Sequence, residues 1–304
     1  MADDQRPPDQ AVIVDRGYRH YEGERTGRRG AMSAIIKEGF RRVLGFRRKA
    51  RFKVFPWFLV ALALASVVIL VSIAWVGSGL DGNETVDDLI PRYAGYFDFI
   101  SVVALLFAAY AGPQLLVPDR VHGVLNVYFS RPLTVTDYLV AKVAAYATVI
   151  YSFWLVPQIL LHLGFAALSP DGFFVYMRET TDVLWKVPLA ATVYFGLQAA
   201  LIFLAASFID RIGAASSAFL AGLLGLNLVA VFFNEATTAP GARWATLVAL
   251  EQHPRYIRDW IFGQSSEVVI PAQAGFGPEA SLAVIIGVVA VSVGLVWRRY
   301  RRLA

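Results

Sequence analysis

The stretch Val54–Gly77 reads "VFPWFLVALALASVVILVSIAWVG" and contains no charged residue. An α-helix rises about 1.5 Å per residue, so a run of this length can cross the hydrocarbon core of a bilayer, which is about 30 Å thick. A helix also satisfies its own backbone hydrogen bonds, which lipid cannot do. The stretch therefore predicts a transmembrane helix.

Apolar runs of similar character recur along the rest of the chain. Hydrophobic residues make up 57% of the 304 residues, which is more than is usual for a soluble domain. The five further runs are Phe97–Val117, Tyr138–Leu168, Val187–Phe208, Ile212–Phe233 and Ser281–Trp297. The sequence thus predicts an all-α membrane protein with a six-span transmembrane domain over residues 54–304. Because the first run follows a basic leader of about fifty residues, we expect it to remain as a span and not to be a cleaved signal peptide.

The distribution of basic residues predicts the orientation. With a cytoplasmic N-terminus and six spans, 22 of the 28 Lys and Arg residues lie on the cytoplasmic side. Cytoplasmic loops carry an excess of Lys and Arg, so we expect both termini in the cytoplasm of a bacterial cell, with the spans in its cytoplasmic (inner) membrane. The basic rim then faces anionic lipid of the bilayer, and we expect no nucleic-acid partner.

The residues before the first span divide into two segments. Residues 1–31 are rich in charged residues, Pro and Gly, which predicts a disordered cytoplasmic tail. Residues 32–53 place Ile35, Phe40 and Val43 at helical spacing among Lys and Arg, which predicts an amphipathic helix at the membrane interface. A nucleic-acid arm or a solvated charge run is the alternative for this segment.

The extracytoplasmic segment 234–280 is long enough to hold structure of its own. It carries Trp244, Tyr256 and Trp260 among charged residues. Trp and Tyr are enriched at membrane interfaces, so we expect one or two helices at the outer interface.

Two sets of residues inside the predicted spans carry further expectations. Polar side chains at membrane depth need partners, so they line a substrate path or make interhelical hydrogen bonds; these are Gln158, His162, Gln198 and Asn227. Small residues repeat every four positions in the fifth span and predict close helix packing, within the chain or with a second subunit; these are Gly213, Ser217, Ala221 and Gly225.

Enzyme motifs are missing from the sequence. There is no HExxH motif and no pair of carboxylates at mid-membrane depth, and the chain has no cysteine. The run "GFRRVLGFRR" lacks the spacing of a phosphate-binding loop. We therefore expect no catalytic residues, no metal site and no ATP hydrolysis by this chain alone.

A polar stretch of the chain separates the second and third spans. Residues 118–142 read "PDRVHGVLNVYFSRPLTVTDYLVAK". This stretch resembles the motif that permeases of the ABC-2 type transporter family carry between the same two spans. The matching positions are Asp119, Gly123, Leu125, Ser130, Arg131, Pro132, Tyr138 and Lys142. Val124 and Ala141 depart from the pattern, which usually has Thr and Gly there.

The resemblance implies a type V exporter-like permease architecture with a coupling helix at about residues 118–130. This helix would dock on a separate ABC ATP-binding subunit, which would hold ATP and Mg; the implied coupling residues are Asp119, Arg120, Val121, Gly123, Val124, Leu125, Arg131 and Pro132. A second permease copy or a homologous permease would complete the complex. From the residues alone, we expect Asp119 near a helix start and Lys142 extended towards the inner interface.

Two alternatives to an ATP-driven exporter fit the same sequence. One is a permease-like subunit of a non-transporting complex, which passes force or signal to an extracytoplasmic accessory protein through residues 234–280. The other is a membrane enzyme, such as a lipid-modifying transferase.

Overall fold

The computed structural model describes residues 27–46, 49–78, 93–130, 133–236 and 241–303, and within these ranges the chain forms helices and no β-strand. Six of the described helices are long and apolar enough to cross a membrane: α2 (Arg51–Ser78), α4 (Ser101–Val121), α6 (Val135–Leu168), α8 (Val183–Phe208), α9 (Ile212–Ala236) and α13 (Pro278–Arg301). The prediction of an all-α chain with six apolar spans is confirmed, and it indicates an integral membrane protein.

Shorter helices fill the connections between these spans. They are α1 (Gly27–Val43), α3 (Tyr93–Phe99), α5 (Leu125–Phe129), α7 (Phe173–Glu179), α10 (Ala242–Ala245), α11 (Gln252–Phe262) and α12 (Ile270–Gln273), with a 3₁₀ turn at Thr246–Val248. The spans alternate in direction, so the bundle has two ends. We call the end with α1 and α5 the α5 end, and the opposite end, where the segment from α10 to α12 lies, the α11 end.

The centre of the bundle is built on α4, α6 and α8. Aromatic rings pack between these helices, and Phe97 of α3 stacks on both Trp154 of α6 and Tyr194 of α8, with ring centroids 4.9 and 5.4 Å away. The outer helices α2, α9 and α13 instead leave large apolar side chains exposed, for example Val68 and Leu228. A bundle with an apolar outer surface of this extent is suited to lipid and not to water.

Several span boundaries differ from the sequence prediction: α4 begins at Ser101 and not at Phe97, and α8 begins at Val183 and not at Val187. Helix α6 begins at Val135, because Thr134 and Asp137 form a capping box that satisfies backbone N–H groups of the first turn. Helix α13 runs from Pro278 to Arg301 and is longer than the predicted run Ser281–Trp297. The sequence prediction was too short because it followed apolar residues, and both ends of α13 carry charged residues.

The segment before the first span also has different bounds from those predicted. Helix α1 already begins at Gly27 and ends at Val43, and the chain turns at Gly45, which has a φ of 70°. Only glycine adopts this backbone conformation at little cost, so it ends the helix there. The predicted helix 32–53 is thus divided between α1 and the start of α2. The predicted tail overlaps α1 from residue 27, and residues 1–26 lie outside the described residues.

The described part of the segment 234–280 folds back onto the spans. Gln252, at the start of α11, donates a hydrogen bond to Asn227 within α9 (2.9 Å), whereas Phe262 at its end lies near Lys186 in the first turn of α8. Helix α11 therefore runs alongside the spans, with its N-terminus deeper in the bundle than its C-terminus. Trp244 and Trp260 are exposed, while His253 and Arg258 are buried.

Candidate functional site

The segment between α4 and α6 emerges at the α5 end of the bundle. Helix α4 continues through Pro118 and Asp119 to Val121, a turn follows, and α5 occupies only Leu125–Phe129. The turn contains Gly123 with a φ of 67°, a conformation that favours glycine. The stretch 118–130, for which the resemblance implies a coupling helix, consists of the last turn of α4 and a separate short helix.

Asp119 lies at the centre of a buried cluster of charged side chains. It is 1% exposed, and its carboxylate oxygens lie 2.6 Å from Lys142 Nζ of α6 and 2.6 Å from a guanidinium nitrogen of Arg42 of α1. The Tyr138 hydroxyl donates a third hydrogen bond to it (3.2 Å). One carboxylate therefore joins α1, α4 and α6.

Two expectations from the sequence are wrong at this cluster. Asp119 lies in the last turn of α4 and not near a helix start, so the helix dipole disfavours its charge and the two cations offset this. Lys142 does not extend to the interface, because its side chain is 1% exposed and paired with Asp119. Burial lowers the pKa of Arg42, but the Asp119 carboxylate outweighs this and the pKa is raised overall.

Tyr138 links the same cluster to the short helix and to the last span. Its ring is fully buried and packs against Tyr128 of α5 and Tyr300 of α13, with centroids 5.5 and 5.7 Å away. Phe129 meets its edge at 6.1 Å. A displacement of α5 would therefore press on α6 and α13 through one aromatic side chain.

Arg120 fixes the end of another span. Its guanidinium donates hydrogen bonds to the carbonyl oxygens of Ala206 (3.0 Å), Ser207 and Ile209 (2.6 Å) at the C-terminus of α8. These carbonyls include groups that have no partner within a helix, and a cation there also suits the helix dipole. The side chain is 7% exposed, and Asp210 pairs with it at 3.1 Å.

Helix α1 is held tightly against the bundle beneath this segment. Arg28 pairs with Asp137 of α6 at 2.5 Å, which adds a second ion pair to that of Arg42. Between them, Gly39 packs so closely that a Cβ atom there would lie 2.7 Å from Ala145 Cβ and 3.0 Å from a methyl group of Leu115. Close approach of two helices at a small residue of this kind favours dense packing.

The exposed side of the segment is small and mixed, since His122 and Ser130 are exposed there as well as two valines. Val121 and Val127 are 52% and 57% exposed, and Gly123 and Asn126 lie beside them. Leu125 points inward and is 5% exposed, so it supports the segment from beneath and does not form its outer face. Val124 is partly exposed, and Arg131 and Pro132 lie outside the described residues.

The polar residues predicted within the spans have mostly interhelical partners. Gln158 donates a hydrogen bond to the Tyr93 carbonyl (3.1 Å), and His162 Nδ1 lies 2.6 Å from the Tyr93 hydroxyl. That hydroxyl in turn lies 2.7 Å from the hydroxyl of Tyr176. Asn227 accepts from Gln252, whereas the carbonyl oxygen of Gln198 has no hydrogen-bond partner.

The small-residue ridge of α9 faces away from its own bundle. Gly213, Ser217, Ala221 and Gly225 are all exposed, and α9 packs on its neighbours through Ala215, Phe219, Leu223 and Ala230. Within the part of the chain that the structure describes, no helix covers the ridge.

A second ionic cluster closes the α11 end. Arg258 binds both carboxylate oxygens of Asp98 (2.7 and 3.0 Å) and also contacts Asp259. Nearby, the buried His253 lies 2.9 Å from the Leu247 carbonyl through Nε2 and 2.8 Å from the Ser281 hydroxyl through Nδ1. A carbonyl only accepts, so Nε2 carries the proton and Nδ1 accepts from Ser281.

Sequence reasoning missed the partners of these charges. Arg42 was part of a basic run, and Asp98 stood at the edge of an apolar run, so neither pattern indicated an ion pair. The described residues contain no group of three or more His, Asp and Glu side chains that could hold a metal ion.

Comparisons with known proteins do not identify a family. Neither the scan against family models nor the search of curated proteins found a match to this chain.

Proposed function

We propose that the chain is the transmembrane permease subunit of an ATP-driven ABC-2 type transporter, working as an exporter with a separate ATP-binding subunit. ATP and Mg would bind to that partner. A second copy of this chain or a homologous permease would complete the membrane part, and the exposed ridge of α9 is a surface that such a copy could cover.

The observation that carries the proposal is the construction of the segment from Asp119 to Ser130. It presents two exposed valines on a short helical segment, while the residues beneath are anchored to the spans by buried contacts. A connector that only joined two spans would not need buried charged anchors, because taking charges out of water is costly. A segment on which an ATP-binding subunit pushes must instead be firmly attached to the spans, so that its movement is passed on to them.

The contacts of the segment also determine which helices would move when the segment is displaced. Asp119 ties the segment to α1 and α6, Tyr138 ties it to α13, and Arg120 ties it to the end of α8. Closing of the ATP-binding subunits against α5 would then move the α5 ends of these helices together. Such movement is the step that alternating exposure of a transport path requires.

The charge distribution supports a cytoplasmic location for the α5 end. This end carries Arg211 and the basic last turn of α13, as well as the Lys and Arg residues of α1. The positive-inside rule places such residues on the side where an ATP-binding subunit has access to ATP.

The proposal is tested by charging the exposed face of the segment. The double variant Val121→Asp with Val127→Asp, co-expressed with the ATP-binding subunit of the same host, should weaken co-purification at least tenfold, because burying each valine contributes roughly 1.5–3 kcal/mol. Stimulated ATP hydrolysis should fall with it.

The matched control is Val268→Asp, since Val268 is 71% exposed and lies at the α11 end. It should leave both readouts unchanged. Parent-like co-purification and ATP hydrolysis of the double variant would contradict the proposal.

A further inference from the structure

An apolar groove lies between α2 and α6 and opens sideways, on the surface of the bundle that is suited to lipid. Its volume is about 170 Å³. Buried side chains form the floor, among them Ala63, Phe107 and Phe153, whereas the partly exposed Trp57 and Val156 belong to the rims. An apolar cavity of about 150 Å³ holds one benzene ring, so this groove has room for part of one hydrocarbon chain.

The groove is bounded at both ends. At the end nearer α5, it is covered by Phe40 of α1 and by Leu44, whose carbonyl accepts a hydrogen bond from the Trp57 indole (3.1 Å). Beyond the other end α2 and α6 touch, because a Cβ atom at Gly164 would lie 2.5 Å from a methyl group of Val71. Between these limits the groove follows α2 for about two turns, roughly 10 Å.

The few polar groups of the wall already have partners. The Ser152 hydroxyl donates to the Thr148 carbonyl of its own helix (2.7 Å), and the Trp57 indole is bound to Leu44. The rest of the lining is hydrocarbon or aromatic, which suits an acyl chain. Lipid tails are as apolar as this wall, so the groove by itself does not select one phospholipid from another.

Two basic side chains lie at the end of the groove nearer α5. Lys37 and Arg41 precede Phe40 and Leu44, respectively, by three positions. Residues three apart on a helix are neighbours, so both cations lie one turn away from the lining residues on the same side of α1. Lys37 is exposed and Arg41 is partly exposed, so a headgroup can reach them.

These two cations form no ion pair with any residue that the structure describes. Glu38 lies between them in sequence but interacts with Arg42, which places it towards another side of α1. A Lys or Arg near a membrane surface favours anionic lipid by a factor of about five. A phosphate at this end of the groove would therefore meet two positive charges.

We infer that the groove holds an acyl chain of an anionic phospholipid from the leaflet at the α5 end, and that Lys37 and Arg41 bind its phosphate. The groove positions the chain, and the two cations select the headgroup. The lipid would thus fill the gap between α1, α2 and α6. The inference does not rest on the proposed transport function, since lipid binding is a property of this chain alone.

The test is photocrosslinking of the full chain in nanodiscs of phosphatidylcholine that contain about a tenth of phosphatidylglycerol. A small diazirine amino acid at Leu64, which lines the groove, should crosslink phosphatidylglycerol at about five times its bulk share or more. Mass spectrometry of the crosslinked chain measures this share. The same amino acid at Leu228, 69% exposed on α9, should crosslink both lipids in their bulk proportion.

The charge variant is Lys37→Gln with Arg41→Gln, which should return the lipid crosslinked at position 64 to the bulk proportion. Its matched control is Arg298→Gln with Arg302→Gln, which removes two exposed charges from the same end of the bundle and should leave the enrichment unchanged. Glycerol phosphate, which has no acyl chain, should not compete. If the double charge variant fails to fold, Lys37→Gln alone, at an exposed position, decides the question.

A second pair of variants tests the position of the chain. Val60→Trp fills the groove and should lower the total lipid crosslinked at position 64 severalfold, whereas Val68→Trp, at a 65% exposed position of the same helix, should not. Equal crosslinking in these two variants would overturn the inference. So would bulk lipid proportions at position 64 of the parent, unchanged enrichment in the charge variant, or competition by glycerol phosphate.

Discussion

At the scale of single residues, Asp119 determines how the α5 end is held together. It is one carboxylate between two buried cations, Lys142 and Arg42, from different helices. A buried ion pair adds little over an apolar pair, but removal of one partner is costly because a buried charge remains uncompensated. Loss of Asp119 would therefore leave Lys142 and Arg42 buried without a counter-charge.

We expect Asp119→Asn to destabilise the chain by about 3–5 kcal/mol, because Lys142 would then be buried without a counter-charge. Thermal unfolding in detergent measures this, with the exposed Asp171→Asn as the control. The double variant Asp119→Leu with Lys142→Leu should recover part of the loss. Equal unfolding temperatures of Asp119→Asn and the parent would show that the ion pairs of Asp119 do not contribute to stability.

The buried His253 makes stability depend on pH. Burial lowers its pKa, so the folded chain takes up this proton less readily than the unfolded chain. As the pH falls below about 6.5, the unfolded state gains the proton first, and stability should fall by at most about 1.4 kcal/mol per pH unit until the lowered pKa is reached. Above about 6.5 the neutral form is present in both states and this contribution is constant.

The measurement is the unfolding temperature of the parent and of His253→Gln between pH 7.5 and 5. Gln does not titrate and can still donate to the Leu247 carbonyl, so the variant should show a flatter dependence. The other histidines are common to both proteins. Identical slopes would mean that His253 does not contribute.

At the scale of helices, α1 is the element whose surroundings differ most from the sequence prediction. Its basic amphipathic pattern predicted a helix on the membrane surface, whereas Ile35, Gly39 and Val43 are buried against α4 and α6. The pattern detects an apolar face but cannot tell whether lipid or protein covers it. The close approach at Gly39 depends on the positions of two other helices, which no local pattern contains.

We expect Gly39→Val to detach α1 from the bundle, since even a Cβ would lie 2.7 Å from Ala145 Cβ and overpacking typically costs about 1–3 kcal/mol. Hydrogen exchange of the α1 amides should increase markedly. The control is Gly287→Val in α13, where a Cβ would meet no atom within 4 Å. Unchanged exchange in α1 would mean that α1 does not pack tightly on the bundle.

At the scale of the whole molecule, the sequence predicted the number of spans and their approximate positions because lipid imposes a length and a composition on each helix. The resemblance pointed to Asp119 as a site residue, but it did not predict that Asp119 is buried or that it pairs with Lys142 and Arg42. These contacts depend on which helix ends meet. The same reason hid the pairing of Asp98 with Arg258, whose two residues are 160 positions apart. Long-range contacts between charges need the tertiary arrangement.

The most direct test of the account is to find what touches Val127 in native membranes. A photoreactive amino acid at this position should crosslink the chain to an ATP-binding protein with a phosphate-binding loop, identified by mass spectrometry, because Val127 is exposed on the segment from Asp119 to Ser130 that we propose as the docking site. The same amino acid at Val268 should not. If position 127 yields no ATP-binding protein, or if Val127→Cys reacts with an impermeant reagent from outside the cell, the proposed coupling is contradicted.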